Sequence, residues 1–231
     1  MLIFKLEEKP EQLIKFQPRM LINAGYTGRN REAVQAHIDE LALKGIPSPK
    51  ITPTYFPKVS DRIIQSGSFE VLDEIDHSGE GEFCLFCHEG IFYVTPSSDH
   101  TDRKLEEVSI LKSKQIYPNV VGTSAWRLEN LLDHWDSIFM RSWVTKDGKE
   151  VLYQEAPLST LMEPNELIGR VKALLCRTED LNGLMIFSGT VAALFELAYS
   201  PTFRVTLEDP EKGRALNCYY TMRPISDWFM E

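Results

Sequence analysis

From residue 59 onwards the chain consists mainly of short apolar runs separated by turns, and this pattern constrains the fold more than any other feature. The runs "SFEVLDEI", "EFCLFCHEG", "IFYVTPSS" and "VSILKSKQIYP" predict strands, as do "GLMIFSGTVAALF" and "PTFRVTLEDPEKGRALNCYYTM" further on. A two-residue turn in "KDGK" predicts a hairpin over "MRSWVTKDGKEVLYQEA". Strands do not alternate regularly with helices, so we expect a mainly-β, α+β roll.

Three segments instead predict helices. "NREAVQAHIDELALKG" has Asn30 as N-cap, an apolar stripe of Val34, Ile38 and Leu41, and Gly45 as the stop. "AWRLENLLDHWDSIF" has a stripe that includes Leu128 and Trp135, and "EPNELIGRVKALLC" begins with a proline near its first turn.

Four prolines in "IPSPKITPTYFPK" predict an extended connection. We therefore expect an N-terminal lobe over residues 1–58 and a larger domain over residues 59–231, with one continuous domain as the alternative.

Composition excludes several classes of protein. The 231 residues carry 25 Lys and Arg against 34 Asp and Glu, a net charge of −9 without a basic block, which disfavours binding to nucleic acid or anionic membranes. No apolar run has the length of a signal peptide or a membrane span. The four cysteines form no disulfide framework, so we expect a cytoplasmic protein.

Two glutamates, Glu80 and Glu82, stand on either side of one glycine in "SGEGEF". Residues i and i+2 of a strand share a face about 6.5–7 Å apart, where two carboxylates repel unless a cation lies between them. Asp99 follows the next predicted strand and completes a three-carboxylate face that suits Mg²⁺ or Mn²⁺. A solvated acidic turn is the ordinary alternative.

Other catalytic sites are disfavoured. The pair Cys84 and Cys87 has the CxxC spacing of many zinc sites. However, positions three apart in a strand face opposite sides, and the sequence contains no second CxxC. Ser142 in "SWV" lacks the glycines of a nucleophile elbow.

The order of these motifs resembles the fumarylacetoacetate hydrolase superfamily over roughly residues 20–223, and most closely its bacterial DUF2848-type branch. The resemblance rests on an E-x-E strand, a D-x-[ST]-x-R-x-L segment, and a lysine shortly before an aromatic–Pro pair. These correspond to Glu80 and Glu82, then Asp99, Thr101, Arg103 and Leu105, then Lys114 before Tyr117 and Pro118. "GKEVLYQEAPLSTLMEPNELIGRVKALL" and "LNGLMIFSGT" extend the likeness.

The resemblance implies roles for further residues. His37 and Glu40 would activate the attacking water, and their i, i+3 spacing places them on one helical face. Arg103 and Lys114 would hold substrate oxygens, although Lys112 is an alternative to Lys114. Gly189 and Thr190 would contribute a close backbone approach and a hydroxyl, while Gln154 and Tyr55 either line the pocket or are packed polar residues. Asp102 adds a further carboxylate, here predicted to lie near the metal.

The resemblance therefore implies a fumarylacetoacetate-hydrolase-like (FAH-like) enzyme that uses Mg²⁺ or Mn²⁺, with Ca²⁺ a further ion in crystals, to hydrolyse a C–C bond of a small oxo- or diketo-acid. The metal would stabilise the enolate that develops as the bond breaks. A decarboxylase, isomerase or hydratase using the same site is the first alternative, and a non-catalytic small-molecule-binding protein the second. The resemblance also implies a homodimer. A partner subunit is one candidate to cover Trp228 and Phe229, which the tail "PISDWFME" otherwise exposes.

Overall fold

The computed structural model describes residues 1–43, 48–176, 180–196 and 199–228, except for the side chains of His37, Glu40, Leu41 and Asp227. Among the described residues, fifteen strands form two sheets. In chain order they are β1 (Leu2–Leu6), β2 (Lys9–Phe16), β3 (Met20–Gly25), β4 (Thr54–Lys58), β5 (Ile63–Gln65), β6 (Gly67–Val71), β7 (His77–His88), β8 (Ile91–Asp102), β9 (Asn119–Val121), β10 (Ser124–Arg127), β11 (Phe139–Lys146), β12 (Lys149–Pro157), β13 (Leu184–Phe187), β14 (Thr202–Asp209) and β15 (Arg214–Pro224).

The helices of the same residues are short. They are α1 (Arg31–Leu43), α2 (Arg103–Glu106), α3 (Ile110–Ile116) and α4 (Pro164–Leu174), with 3₁₀ turns at Leu128–Asn130, Trp135–Ser137, Leu158–Thr160 and Ser226–Trp228. The predicted mainly-β, α+β class is confirmed.

The larger sheet runs in the order β2-β1-β10-β8-β7-β13-β3-β4, and β9 joins β8 to β5 at its side. The smaller sheet runs in the order β12-β11-β14-β15-β6. Four strands of the larger sheet come from residues 2–58, the segment predicted to be an N-terminal lobe. These strands are hydrogen-bonded into the main sheet, and the division at residue 58 stays a prediction.

The main hydrophobic core lies between the two sheets. Phe83, Leu85 and Cys87 from β7 pack there with buried side chains of the smaller sheet such as Val205 and Leu216. Cys84 and Phe86, on the other face of β7, belong to a second core with β1 and β2. The alternating residues of β7 thus fill two cores, and Cys84 and Cys87 lie in different ones.

Several local predictions are confirmed. Asn30 caps α1, since its Oδ1 accepts hydrogen bonds from the backbone N–H groups of Glu32 and Ala33 at 3.0 and 3.1 Å. Asp147 and Gly148, both with positive φ, turn the β11–β12 hairpin. Pro164 opens α4. The predicted stop of α1, Gly45, lies outside the described residues.

Two secondary-structure predictions are wrong. "VSILKSKQIYP" contains the helix α3 rather than a strand, because Ser109 caps its N-terminus by accepting from Lys112 N. "AWRLENLLDHWDSIF" is β10 followed by two 3₁₀ turns rather than one helix. Leu128 and Leu131 are both buried, and this three-residue spacing fits a 3₁₀ turn as well as an α-helix.

Candidate active site

The β7–β8 hairpin brings the three predicted metal ligands together. Antiparallel pairing places Glu80 directly opposite Asp99, and Glu82 lies two residues further along the same strand. One oxygen of each carboxylate lies within 4.8 Å of the others. Glu82 and Asp99 are fully buried, whereas Glu80 keeps partial exposure. The result is a compact group of carboxylate oxygens.

The two glycines of "SGEGEF" allow the sheets to meet behind these carboxylates. A Cβ on Gly79 would lie 2.5 Å from the Tyr220 hydroxyl and 2.8 Å from the Phe203 ring. A Cβ on Gly81 would lie 2.9 Å from Gln154 Oε1. Because successive side chains of a strand point to opposite faces, the carboxylates point one way while the smaller sheet packs against the glycine backbone.

Lys114 supplies positive charge directly to the carboxylates. Its Nζ donates hydrogen bonds to Asp99 Oδ2 at 2.5 Å and to Glu80 Oε2 at 3.2 Å. The side chain is buried at the end of α3, whereas Lys112 is exposed. Of the two lysines left open by the sequence, the structure places Lys114 at the carboxylates.

Arg103 holds Glu80 from the other side. Its Nη1 donates to Glu80 Oε1 at 2.8 Å and to Glu106 Oε2 at 3.0 Å, and its Nε donates to Ser78 Oγ at 2.9 Å. The guanidinium is thus bound to protein carboxylates, whereas the resemblance implies a bond to substrate. Neighbouring Asp102 acts as the N-cap of α2, accepting from Leu105 N at 2.8 Å.

Lys58 is a second buried cation that the sequence analysis missed. Its Nζ lies 3.8 Å from Asp99 Oδ1 and donates to the backbone carbonyls of Lys114 and Tyr117, the latter at 2.8 Å. Lys58 therefore ties the end of β4 to the end of α3. No local motif marks this residue, because its partners lie more than 40 positions away along the chain.

The surroundings shift the pKa values of Glu80 and Glu82 in opposite directions. Burial, together with the nearby carboxylates of Asp99 and Glu80, raises the pKa of Glu82 well above its ordinary value. Burial also acts on Glu80, but the Lys114 and Arg103 cations outweigh it and lower the pKa of Glu80 to about 2. For Lys114, Asp99 and Glu80 outweigh burial and raise the pKa of the ammonium. Burial lowers the pKa of Lys58 to about 8 despite the nearby Asp99.

The loop after β13 completes the carboxylate side of the site. Gly189 has φ +82°, and its backbone N–H donates to Glu82 Oε2 at 3.1 Å. A Cβ there would meet Thr27 Oγ1 at 2.7 Å, so only glycine fits the loop. Thr190 Oγ1 donates to the Gly81 carbonyl at 2.8 Å and accepts from Gln154 Nε2 at 2.7 Å. Thr190 and Gln154 therefore hold β7 in place through hydrogen bonds to the backbone of Gly81.

A cavity of about 780 Å³ opens in front of the carboxylates. It is lined by residues from β3, β4, β7, β12, α1, α2, α3 and the loop after β13, including Glu80, Glu82, Arg103, Lys114, Gln154 and Thr190. Tyr55, predicted as a possible lining residue, is not part of this wall, and its neighbour Phe56 is. Adjacent residues of a strand face opposite sides, and Tyr55 packs against the core instead.

The predicted His37–Glu40 pair lies on α1, and the first turn of this helix contributes Ala33 and Val34 to the cavity wall. The side chains of His37 and Glu40 lie outside the described residues. Their pairing and their role stay predictions.

The group of carboxylates fits a hard divalent cation. All its donors are oxygens, the ligand type that Mg²⁺, Mn²⁺ and Ca²⁺ prefer. Within the described part of the chain, Asp99 Oδ1 is buried and accepts no hydrogen bond, although a buried carboxylate oxygen ordinarily has a partner. A cation bound to Asp99 Oδ1 would supply the partner that this buried oxygen lacks.

Comparison with known families identifies the chain. Residues 24–220 match the model of a family described as "Protein of unknown function (DUF2848)". The chain belongs to this family. The DUF2848-type branch predicted by resemblance is therefore confirmed. The matched range contains the three carboxylates, Lys58, Lys114 and the Gly189–Thr190 loop.

Solved structures confirm the FAH-like fold. Fumarylpyruvate hydrolase from Pseudomonas aeruginosa, in complex with Mn²⁺ and pyruvate, is 14% identical, with a TM-score of 0.62 and coverage of 96% of both chains. 2-Keto-3-deoxy-D-arabinonate dehydratase with magnesium and 2,5-dioxopentanoate is 14% identical, with a TM-score of 0.60 over 94% of this chain and 75% of that one. 4-Oxalocrotonate decarboxylase from Pseudomonas putida G7, with calcium and acetate, is 16% identical, with a TM-score of 0.55 over 90% and 78%.

No curated protein sequence matches the DUF2848 chain. Among its described residues, no helix combines the length and the apolar character needed to cross a membrane.

Proposed function

We propose that this DUF2848 protein is a divalent-metal-dependent enzyme that acts on a small oxo- or diketo-acid, most specifically a hydrolase of a C–C bond between two carbonyl groups. The observation that carries this proposal is the convergence of Glu80, Glu82 and Asp99, with buried Lys114 beside them, at the cavity whose wall includes Glu80, Glu82 and Lys114. The metals and oxo-acids present in the solved structures of the same fold support it.

The three carboxylates would hold Mg²⁺ or Mn²⁺, with Ca²⁺ as a substitute. When bound, the metal supplies a Lewis acid that polarises the substrate carbonyl and offsets the negative charge formed in the reaction. Lys114 keeps its ammonium protonated beside Asp99 and Glu80. It can therefore donate a hydrogen bond to a substrate oxygen as negative charge develops there.

His37 and Glu40 remain our proposed acid–base pair. Positions 33 and 37 are one helical turn apart, and Ala33 belongs to the cavity wall, which supports a location of position 37 on the cavity side of α1. Glu40 would accept a hydrogen bond from one ring nitrogen of His37. The other nitrogen would then take the proton from the attacking water.

Decarboxylation or dehydration is the alternative reaction. Its support is that a decarboxylase and a dehydratase share this fold with the hydrolase. These reactions differ from hydrolysis in which proton moves and whether water is admitted, both of which depend on side chains around the cavity. A cytoplasmic location stays a prediction from the cysteine pattern.

The test combines metal binding with turnover. The metal-stripped protein should bind Mn²⁺ in a calorimetric titration, and Glu82→Ala should abolish this binding. With Mg²⁺ or Mn²⁺ added, wild type should turn over members of a panel of acylpyruvates, oxaloacetate and related diketo acids, with product identity separating C–C hydrolysis from decarboxylation.

Glu107→Ala is the matched control, because Glu107 is an exposed glutamate that pairs with Lys104 outside the cavity. It should bind Mn²⁺ as wild type does. Equal Mn²⁺ binding by Glu82→Ala and wild type would contradict the metal site, and turnover that survives metal removal would contradict the proposed mechanism.

A further inference from the structure

The cations that line the cavity are already paired with protein carboxylates. Arg29 donates from Nη1 and Nη2 to both oxygens of Asp136, at 2.9 and 2.6 Å, and from Nε to the Leu161 carbonyl at 2.7 Å. Lys114 binds Asp99 and Glu80. With Arg103 these are the cations of the described cavity wall, and none of the three is without a carboxylate partner.

Glu106 is a carboxylate of the wall that does not belong to the metal group. It lies on α2, with Oε2 3.0 Å from Arg103 Nη1, and that same nitrogen binds Glu80 Oε1 at 2.8 Å. One guanidinium therefore separates Glu106 from the proposed metal ligands. Its side chain is 17% exposed, and Glu106 is one of the residues that line the cavity.

The remaining wall contains a large uncharged part. Phe56 from β4 and Val34 from α1 lie there, together with the consecutive residues Val191, Ala192 and Ala193 after the glycine loop. This apolar part of the wall accommodates an apolar or neutral group, and it compensates little for the lost hydration of a carboxylate.

We propose that Glu106 selects substrates with a single carboxylate, so that the oxo-acid end meets the metal and the tail is uncharged. Glu106 shares its cation, Arg103, with Glu80, so one guanidinium serves two carboxylates. A second carboxylate on the tail would therefore meet Glu106 as a like charge in a partly desolvated cavity whose described cations are already paired. This inference rests on the proposed function, because it assumes that an oxo-acid binds at the carboxylate group.

Two commercial 2-oxo acids of equal chain length test the assignment. 2-Oxopentanoate ends in a methyl group, and 2-oxoglutarate ends in a carboxylate. Calorimetric titration of each into the Mn²⁺-loaded full-length protein should show about tenfold tighter binding of 2-oxopentanoate, the effect expected of one partly screened like charge. Glu106→Gln should reduce this preference to about threefold or less, chiefly by improving the binding of 2-oxoglutarate.

Glu107→Gln is the matched control, since it removes the same charge one residue away, outside the cavity, and should keep the wild-type preference. Equal binding of the two acids by wild type, or the same preference in both variants, would overturn the role of Glu106 while leaving the proposed function intact. Failure of both acids to bind any Mn²⁺-loaded form would overturn both. Should Glu106→Gln fail to fold, the wild-type preference alone decides, because a preference for 2-oxoglutarate contradicts the assignment.

Discussion

Glu82 occupies a position that suits a cation and disfavours its own ionisation. Burial and two neighbouring carboxylates raise its pKa in the metal-free fold, so the folded state binds a proton more tightly than the unfolded chain does. By linkage, the contribution of Glu82 to stability falls as pH rises from its ordinary pKa to its raised folded value. Above its ordinary pKa, this proposed metal ligand therefore lowers the stability of the metal-free protein.

The variant Glu82→Gln should show this conflict. Without metal it should melt at a higher temperature than wild type at pH 8. The gain should shrink towards pH 4, where the wild-type carboxyl is mostly protonated in both the folded and the unfolded state. Its Mn²⁺ affinity should fall by more than the roughly 10–100-fold typical of losing an outer contact. Thermal melts at several pH values and calorimetry measure the two effects, and a lower melting temperature at pH 8 would contradict the electrostatic argument.

The proposed base, His37, can be tested by substitution once a substrate is found. His37→Ala should lower kcat by about 10²–10⁴-fold, the range for a positioned acid–base group. Mn²⁺ affinity should not change, because His37 is not a proposed ligand. Glu40→Gln should lower kcat less, since it orients the ring without contacting the reacting atoms. Wild-type turnover by His37→Ala would remove the role.

At the scale of elements, the site depends on close contact between the two sheets behind β7. Gly79 faces Tyr220 and Phe203 at distances that leave no room for a Cβ. The adjacent buried polar groups form a chain on the same side, from His77 through His100 to the Tyr220 hydroxyl, with distances of 2.8 and 3.1 Å. A shift of β7 would therefore displace both this chain and the carboxylates.

Gly79→Ala should destabilise the protein by about 1–3 kcal/mol, the usual effect of overpacking a core. Gly169→Ala is the matched control, because Gly169 lies within α4 with open space at its Cβ position. It should stabilise the protein by about 0.5–1 kcal/mol through helix propensity. Denaturant titration of both variants measures the difference in the free energy of unfolding. If Gly79→Ala leaves this free energy unchanged, the two sheets can move apart at little energetic cost.

For the whole molecule, an ionic network joins the two sheets at a distance from the proposed site. Buried Asp209 accepts hydrogen bonds from Arg214 Nε at 2.9 Å and pairs with His134 Nε2 at 3.1 Å. Arg214 also binds Glu8 at 3.2 Å and stacks over Trp126. The network thus connects β14 and β15 with the β1–β2 turn and β10.

This network makes stability depend on pH. Burial opposes the charged form of His134, but its hydrogen bonds to Asp133 and Asp209 outweigh burial and raise its pKa. A raised folded pKa gives a contribution that is complete below the ordinary pKa of about 6.5 and is lost as pH rises through the folded value. His134→Gln should therefore lower the free energy of unfolding, relative to wild type, by about 1.5–3 kcal/mol at pH 6 and by less at pH 9. Equal losses in denaturant titrations at the two pH values would contradict the charged state.

Assembly remains a prediction at this scale. The chain has 62% of Trp228 exposed near its end, and a homodimer interface would cover such an apolar surface. We expect light scattering to give a dimer mass at micromolar concentration. A monomer that persists over a wide concentration range would remove the prediction, and the location of Phe229 lies outside the described residues.

The sequence by itself determined the features that depend on neighbouring residues. Short apolar runs between turns predicted β7 and β8, the turn residues Asp147 and Gly148 predicted the hairpin, and Asn30 predicted the start of α1. The Glu80–Gly81–Glu82 spacing also predicted two carboxylates on one strand face. Local rules failed where one pattern fits two structures, as for α3 and the 3₁₀ turns after β10.

Only the tertiary structure decided which groups surround the carboxylates. The register of β7 against β8 places Asp99 opposite Glu80, and the helical conformation of α3 buries Lys114 while leaving Lys112 exposed. Lys58 joins the site through contacts with residues more than 40 positions away, which no local motif predicts. The physical reason is that periodicity and turn chemistry act over a few residues, whereas the charge environment of a buried carboxylate is set by side chains from elements distant in the sequence.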